Sequence, residues 1–212
     1  MLIDFHKAIK KYGFKVDNVL HVGAYNASEL SFYKPHGARN IHWIEANKQL
    51  CVGLRKRLDS KLNLVTCAVV SDKDGDTVKF NITNNTQSSS ILELGEHKVL
   101  FPGIHYVDTE IRTTSTIDTI MKNTNIDGRV DFLSIDIQGA ELLALQGATE
   151  TLLKTDALLL EVNEVEVYKD CALLPEIDAF LSPYGIERVE TGMFSEHPFA
   201  CHPWGDALYI RV

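Results

Sequence analysis

The chain has 212 residues, 45% of them hydrophobic, and a formal net charge of −8 from 29 acidic and 21 basic side chains. That length is enough to bury roughly two thirds or more of the unfolded surface around one core. No run of about 18 apolar residues offers a membrane span, and the acidic balance lacks the basic footprint that binding to nucleic-acid phosphates needs.

The N-terminal "MLIDFHKAIKKYGF" mixes acidic and basic with apolar residues and reads as a short amphipathic helix rather than a signal peptide. Cys51, Cys67, Cys171 and Cys201 are scattered, with no C-x-x-C pair, and read as free thiols in a reducing compartment. A cytoplasmic location is therefore expected.

Strand patterns follow at 17–23, 40–45, 63–70, 130–136 and 156–162, with helical patterns at 27–35, 47–58 and 139–153 between most of them. Asn47 is a candidate N-cap, and Arg55, Lys56 and Arg57 form the solvated face of the helix it opens. Apolar strands alternating with amphipathic helices imply a parallel sheet covered on both faces. After a helix at 175–182, "YGIERVE" and "DALYIRV" are joined by a loop rather than a helix, so the sheet should end in an antiparallel hairpin. Residues 72–116, 45 in number, exceed a minimal crossover; "SDKDGDTVKFNI" and "GIHYVDTEIRTTS" read as extra strands around the polar "TNNTQSSS". Loops of that length are usually functional. The expectation is one domain over 1–212 with 72–116 as a lid over an acceptor.

The first strand stops in "VLHVGAYNAS" at Gly23, where an open parallel sheet brings its backbone to a ligand. A pyrophosphate cradle would need G-x-G-x-x-G, and only one glycine is present. The second strand ends in Glu45, 22 residues after Gly23, placed to accept hydrogen bonds from both hydroxyls of a ribose. A ribose-binding acid without a pyrophosphate loop, on a sheet closed by a hairpin, is the pattern of a class I (Rossmann-like) S-adenosylmethionine-dependent methyltransferase.

The segments "VLHVGAYNASELSFY", "IHWIEANKQL", "DFLSIDIQGAELLALQGATETL", "LLLEVNEVEVY" and "GDALYIRV" together resemble the FkbM family of methyltransferases over about 19–212. The most specific element is Asp136-Ile-Gln-Gly-Ala-Glu141, which is similar to the family's D-x-x-G-x-E signature. The chain departs from the family at His21, where an acidic residue is frequent, and at Ala27, where a second glycine is usual. A turn that needs positive φ there would resist alanine.

The resemblance implies an α/β, doubly wound, mostly parallel seven-stranded sheet and S-adenosylmethionine as cofactor. Residue by residue, it places Gly23, Ala24 and Tyr25 at the methionine end, Ser28 at the next helix start, Glu45 at the ribose, and Cys67 and Ala68 at the adenine. Asp136 falls beside the cofactor's amino group and the acceptor, and the run Gln87 to Ser90 resembles the family's Ser-Ser-hydrophobic stretch, which brings Ser90 to the cofactor.

Candidates to take a proton from an acceptor hydroxyl are Asp136, Glu141 and Glu161, with His97, His105, His197 and His202 on loops able to reach it. Asp136, His105 and Glu161 are the catalytic set adopted. An N-P-P-[YF]-like segment typical of base amino methylation is absent, the corresponding residues being "DIQG". Asp136, Glu161 and Asn163 resemble, in position only, the Mg²⁺ site of catechol-type O-methyltransferases; the FkbM resemblance implies no metal, and none is assigned. The family's acceptors, with Phe101, Tyr106 and Trp204 to pack on sugar C–H faces, point to a small-molecule or glycan acceptor. The reading is O-methylation of a sugar hydroxyl, for example on a deoxyhexose such as rhamnose. The competing readings are a metal-dependent catechol or polyketide O-methyltransferase and a catalytically silent subunit that keeps the cofactor fold.

Overall fold

The computed structural model describes residues 2–124, 128–193 and 203–212. His197, His202 and Cys201, singled out above, lie outside the described residues. The chain begins with α1 (Phe5–Tyr12), β1 (Asn18–Val22), α2 (Leu30–Tyr33) running into a 3-10 turn (Lys34–His36), β2 (Asn40–Glu45), α3 (Lys48–Arg57) and β3 (Asn63–Cys67). Next come β4 (Val69–Val70), β5 (Thr77–Thr83), a 3-10 turn (Thr86–Ser88), α4 (His97–Leu100) and β6 (Tyr106–Ser115). The chain continues through α5 (Ile117–Lys122), β7 (Val130–Ile135), α6 (Glu141–Gln146), α7 (Thr149–Leu152) and β8 (Thr155–Asn163). It ends with α8 (Leu174–Leu181), a 3-10 turn (Ser182–Tyr184), β9 (Ile186–Met193) and β10 (Trp204–Arg211).

Seven strands form one sheet in the order β3-β2-β1-β7-β8-β10-β9. The first five run parallel, and β10 lies antiparallel to both β8 and β9. This is the doubly wound sheet with a closing hairpin that the sequence implied. Alternate side chains of the central strands are buried in opposite layers, which is why those strands read as continuous apolar runs. Val19, Phe132, Ala157 and Leu159 pack with Phe5 of α1, Tyr33 of α2 and Leu54 of α3. Leu20, Leu133, Leu158 and Leu160 pack with Ile117 of α5, Leu145 of α6, Leu152 of α7 and Ile177 of α8.

Some elements depart from the pattern. The run 63–70 is two strands: after Ala68, whose N–H bonds Glu45 O, β4 leaves the main sheet and pairs with β6 in a second, three-stranded sheet, β4-β6-β5. The helical run 139–153 breaks at Gly147 into α6 and α7. A Cβ on Gly147 would lie 2.3 Å from Ser71 O, so the break holds the helix layer against the root of the insertion. Helix α5, which the pattern did not signal, is opened by Thr116, whose hydroxyl accepts from Thr119 N.

The sheet order turns back between β1 and β7, and ligand crevices form beyond the carboxyl ends of the strands at such a switch point. The insertion covers that edge. Ser90 Oγ donates to Gln138 O at 2.8 Å, Lys169 N to Glu93 O at 2.8 Å and Gly95 N to Val167 O at 3.0 Å. Beneath it Leu94, Val167, Tyr168 and Cys171 form a small apolar cluster of their own.

The two helix-associated glycines separate packing from propensity. Gly147→Ala should lower stability by about 1–3 kcal/mol, as overpacking does, because the added methyl meets backbone. Gly53→Ala in α3, where a Cβ meets nothing within 4 Å, should be stabilising by up to about 1 kcal/mol. Urea unfolding of both variants checks this, and a neutral Gly147→Ala would contradict the packing.

Candidate active site

Gly23 follows β1 with φ +91, a conformation that favours glycine. A Cβ there would lie 1.8 Å from Asp136 O and 3.3 Å from an Ile137 methyl. The smallness of this residue is thus already required by the neighbouring strand. Its N–H bonds Ile44 O at 2.9 Å, and Asp136 N bonds Val22 O at 3.0 Å, so Gly23 and Asp136 face each other across the switch point.

The turn beyond Gly23 is strained: Tyr25 has φ 42 and Ala27 φ 50. Ala27 therefore adopts the left-handed geometry that suits the family glycine, without being one. Glu45 ties this turn to β2. Its Oε2 accepts from Tyr25 N and its Oε1 from Asn47 N, both at 2.7 Å, while Asn47 Oδ1 in turn caps α3. Burial raises the Glu45 pKa, opposed by these backbone N–H groups and by Arg112. The Ala46 N–H adds to these donors, and Glu45 lines a narrow cleft with Gly23, Tyr25, Ala68, Ser90 and Asp136. Leu50, Val69, Phe80 and Ile91 supply its apolar walls. An acid at a strand end, a glycine turn and an apolar slot fit an adenosine-type ligand.

Not every expected residue reaches this cleft. Ala24 is fully buried in the core beneath the turn, and Cys67 falls just outside the lining that Ala68 supplies. Ser28 lines an adjoining cavity of about 110 Å³ with His21, Glu29 and Asp206. His21 is itself buried, its Nδ1 2.8 Å from Tyr33 Oη, and burial lowers its pKa.

A roomier cavity of about 410 Å³ opens on the other side of Asp136, lined by Glu161, Asn163, Asp206, Tyr168, Phe101 and Trp204 among others. Phe101 and Trp204 meet edge to face, ring centroids 5.4 Å apart. Tyr106 is not in the lining; its hydroxyl accepts from Leu94 N at 2.7 Å. The choice of His105 is corrected: it is exposed, its Nδ1 lies 3.2 Å from Gly103 O in its own loop, and His97 is the histidine that lines the cavity. His97 is 4% exposed, its Nδ1 has no hydrogen-bond partner among the described residues, and burial lowers its pKa.

The carboxylates arise from register. Asp136 directly follows β7, Glu161 lies near the end of β8, and Asp206 of β10 pairs directly with Glu161. Three adjacent strands thus place an acid on one edge. Asp136 is exposed to the cavity, yet the surrounding protein pushes its pKa up to about 6. Burial pushes Glu141 up to about 7 and Glu161 well above the ordinary value, with Asp136 adding repulsion to each. Oxygens of Asp136, Glu141 and Glu161 lie within 4.8 Å of one another. Hydrogen bonds satisfy them: Glu141 Oε1 accepts from Ile137 N at 2.9 Å and Gly139 N at 3.2 Å, and Gln138 Nε2 donates to Asp136 and Glu161. Sequence reasoning gave no role to Gln138, Tyr168 or Asp206. Gln138 occupies a variable position of D-x-x-G-x-E, and the other two depend on contacts distant in sequence.

The sign of the pH effect follows from Glu141. Its pKa is raised in the folded state, so its contribution to stability is present below about pH 4.5 and lost as pH rises through about 7. Glu141→Gln keeps an oxygen for both N–H groups and removes the charge. The variant should therefore gain stability relative to wild type between pH 5 and pH 8, measured by urea unfolding; a difference independent of pH would contradict the assignment.

A family model described as the methyltransferase FkbM domain matches residues 21–188. No curated protein matches the chain significantly. Among solved structures, magnesium protoporphyrin IX methyltransferase from Synechocystis PCC 6803, with bound SAM, aligns with a TM-score of 0.53 and 9% identity over 98% of this chain and 76% of that one. 1,6-Didemethyltoxoflavin-N1-methyltransferase from Burkholderia thailandensis, with 1,6-didemethyltoxoflavin and S-adenosylhomocysteine, gives 0.51 and 10% over 98% and 76%. Methyltransferase FkbM from Methylobacillus flagellatus KT gives 0.51 and 16% over 92% of this chain and 43% of that one, so this chain spans less than half of its length. At these identities the likeness is one of fold, whereas the family match covers most of the chain: this protein belongs to the FkbM methyltransferase domain family.

Proposed function

We propose that the protein transfers a methyl group from S-adenosylmethionine to a sugar hydroxyl, with a deoxyhexose such as rhamnose in a glycan as the acceptor class. The observation that carries the choice of acceptor is the lining of the 410 Å³ cavity. It offers Asp136, Glu161 and Asn163 to hydroxyls and Phe101 and Trp204 to C–H faces, with no Lys or Arg among its described residues. Such a surface suits a neutral polyol and disfavours a polyanion such as nucleic acid. No helix among the described residues is long and apolar enough to cross a membrane. The unpaired Cys51, Cys67 and Cys171 support a reducing, cytoplasmic setting.

In this reading Glu45 holds the ribose hydroxyls, Gly23 and Tyr25 the methionine end, Ala68 and Ser90 the walls of the adenosine cleft, and Ser28 the mouth of the adjoining cavity. The bound cofactor supplies an electrophilic methyl group on a sulfonium. The chain's own residues then orient the acceptor, exclude water beneath 72–116, which acts as the acceptor lid of a single methyltransferase domain, and move one proton. Asp136 accepts that proton as the acceptor oxygen bonds to the methyl carbon and the carbon–sulfur bond breaks toward sulfur. A pKa near 6 keeps Asp136 mostly ionised at neutral pH and still able to hold a proton during transfer. Glu161 orients the acceptor from the next strand. No step is assigned to Mg²⁺, since the FkbM resemblance implies no metal.

The direct test is mass spectrometry of a monosaccharide and glycan panel incubated with enzyme and labelled S-adenosylmethionine. A mass gain of one methylene unit on a sugar is expected. Gain only on diphenols, or only with added metal, would move the assignment to a catechol-type enzyme. Glu45→Ala should weaken cofactor binding by about 1.5–3 kcal/mol in calorimetry; unchanged affinity would remove Glu45 from the site. Asp136→Asn should reduce turnover about 10²–10⁴-fold, with a smaller loss of cofactor affinity, and chelators should leave the wild type active. Normal turnover in that variant would remove Asp136 as the base.

A further inference from the structure

Gln138 occupies a backbone position that glutamine rarely adopts, with φ 61, between Asp136 and a glycine of φ 97. Two hydrogen bonds and the close packing of the next residue hold it there. Ser90 Oγ donates to its carbonyl at 2.8 Å, Tyr168 Oη donates to its side-chain Oε1 at 2.6 Å, and a Cβ on Gly139 would come within 2.7 Å of Tyr168 Cβ. The turn and Tyr168 are therefore pressed together.

The two ends of the amide do different work. Its oxygen, which would repel carboxylates, is taken by the Tyr168 hydroxyl. Its nitrogen lies 2.8 Å from Asp136 Oδ1 and 2.9 Å from Glu161 Oε2, and an amide nitrogen carries two hydrogens, one for each acid. Turning the amide over would set Oε1 against both acids, so the acids and Tyr168 together fix its orientation. Glu141 and Asp206 repel Glu161, and Asp206 and Glu29 repel Asp136, where the positive amino terminus opposes them. No other hydrogen bond among the described residues ties Asp136 to Glu161. With the bridge, Asp136 Oδ1 is occupied, and Oδ2 takes no hydrogen bond from the described residues.

We propose that Gln138, locked by Tyr168, is a positioning residue: it bridges Asp136 and Glu161, fixes their separation, and presents one oxygen of Asp136 to the acceptor proton. This deepens the methyl-transfer reading and rests on it only for the role of that oxygen. The bridge itself stands on the geometry.

The test is carbon-13 NMR titration of the Asp136 and Glu161 carboxyls in the full chain, assigned with Asp136→Asn and Glu161→Gln. Gln138→Leu should shift the titration of the pair upward by about one pH unit. Tyr168→Phe should shift it in the same direction by less, because Oε1 then loses its donor and the amide is held less firmly against the two acids; a merely structural tyrosine would leave it in place. If Gln138→Leu does not fold, Tyr168→Phe decides alone. Unshifted titration in the folded variants would overturn the bridge. S-adenosylhomocysteine affinity of the wild type, measured alongside, keeps the two readings apart: absence of binding would strike the cofactor assignment and leave the titration result to judge the bridge.

Discussion

The close approach of β1 and β7 at the switch point is the constraint on which the rest of the site depends. With 1.8 Å between a virtual Cβ on Gly23 and Asp136 O, no side chain fits there, and the two strand ends are held in contact. That contact sets the turn after Gly23, which Glu45 then fastens to β2 through Tyr25 N. It also brings Asp136 to the border between the adenosine-shaped cleft and the larger cavity. The strained Tyr25 and Ala27 are the cost of making the chain turn away so sharply, and strain of this kind clusters at functional sites.

A second tension is electrostatic. Three neighbouring strands deliver Asp136, Glu161 and Asp206 to one edge, and the described cavity lining contains no Lys or Arg to balance them. Like charges on adjacent strands destabilise a sheet, so their persistence here argues for use rather than stability. The fold answers with donors: backbone N–H groups to Glu141, the Gln138 amide to Asp136 and Glu161, and Leu2 N to Asp206. Carboxylates held in this way keep raised pKa values while remaining oriented, which is what proton transfer from a hydroxyl requires.

Much of this was legible in the sequence. Strands β1, β2, β7 and β8 read as apolar runs because both faces of the sheet are covered, and the hairpin was visible because no helix separates the last two runs. Glu45 could be found by its spacing from Gly23, since a strand, a crossover helix and a second strand fix that distance in sequence. Breaks set by tertiary contact were not legible. Gly147 ends α6 because it lies against Ser71 O, and Ala68 ends β3 where β4 turns to meet β6. Asp206 reaches the site through its pairing with Glu161 and Tyr168 through its bond to Gln138, and neither contact leaves a local pattern. His105 was a reasonable choice by its place in the insertion, yet the loop turns its ring back to Gly103 O and presents His97 instead.

The claim at the centre is that one edge of the sheet binds an adenosine-bearing cofactor across Gly23, with the acceptor on the far side of Asp136. A crystal structure of the chain with S-adenosylhomocysteine tests it most directly. The account predicts ribose hydroxyls on Glu45, adenine between Leu50, Ala68 and Ile91, and the sulfur beside Gly23 facing the cavity of Asp136 and Glu161. A ligand bound elsewhere, or with its ribose away from Glu45, would contradict it.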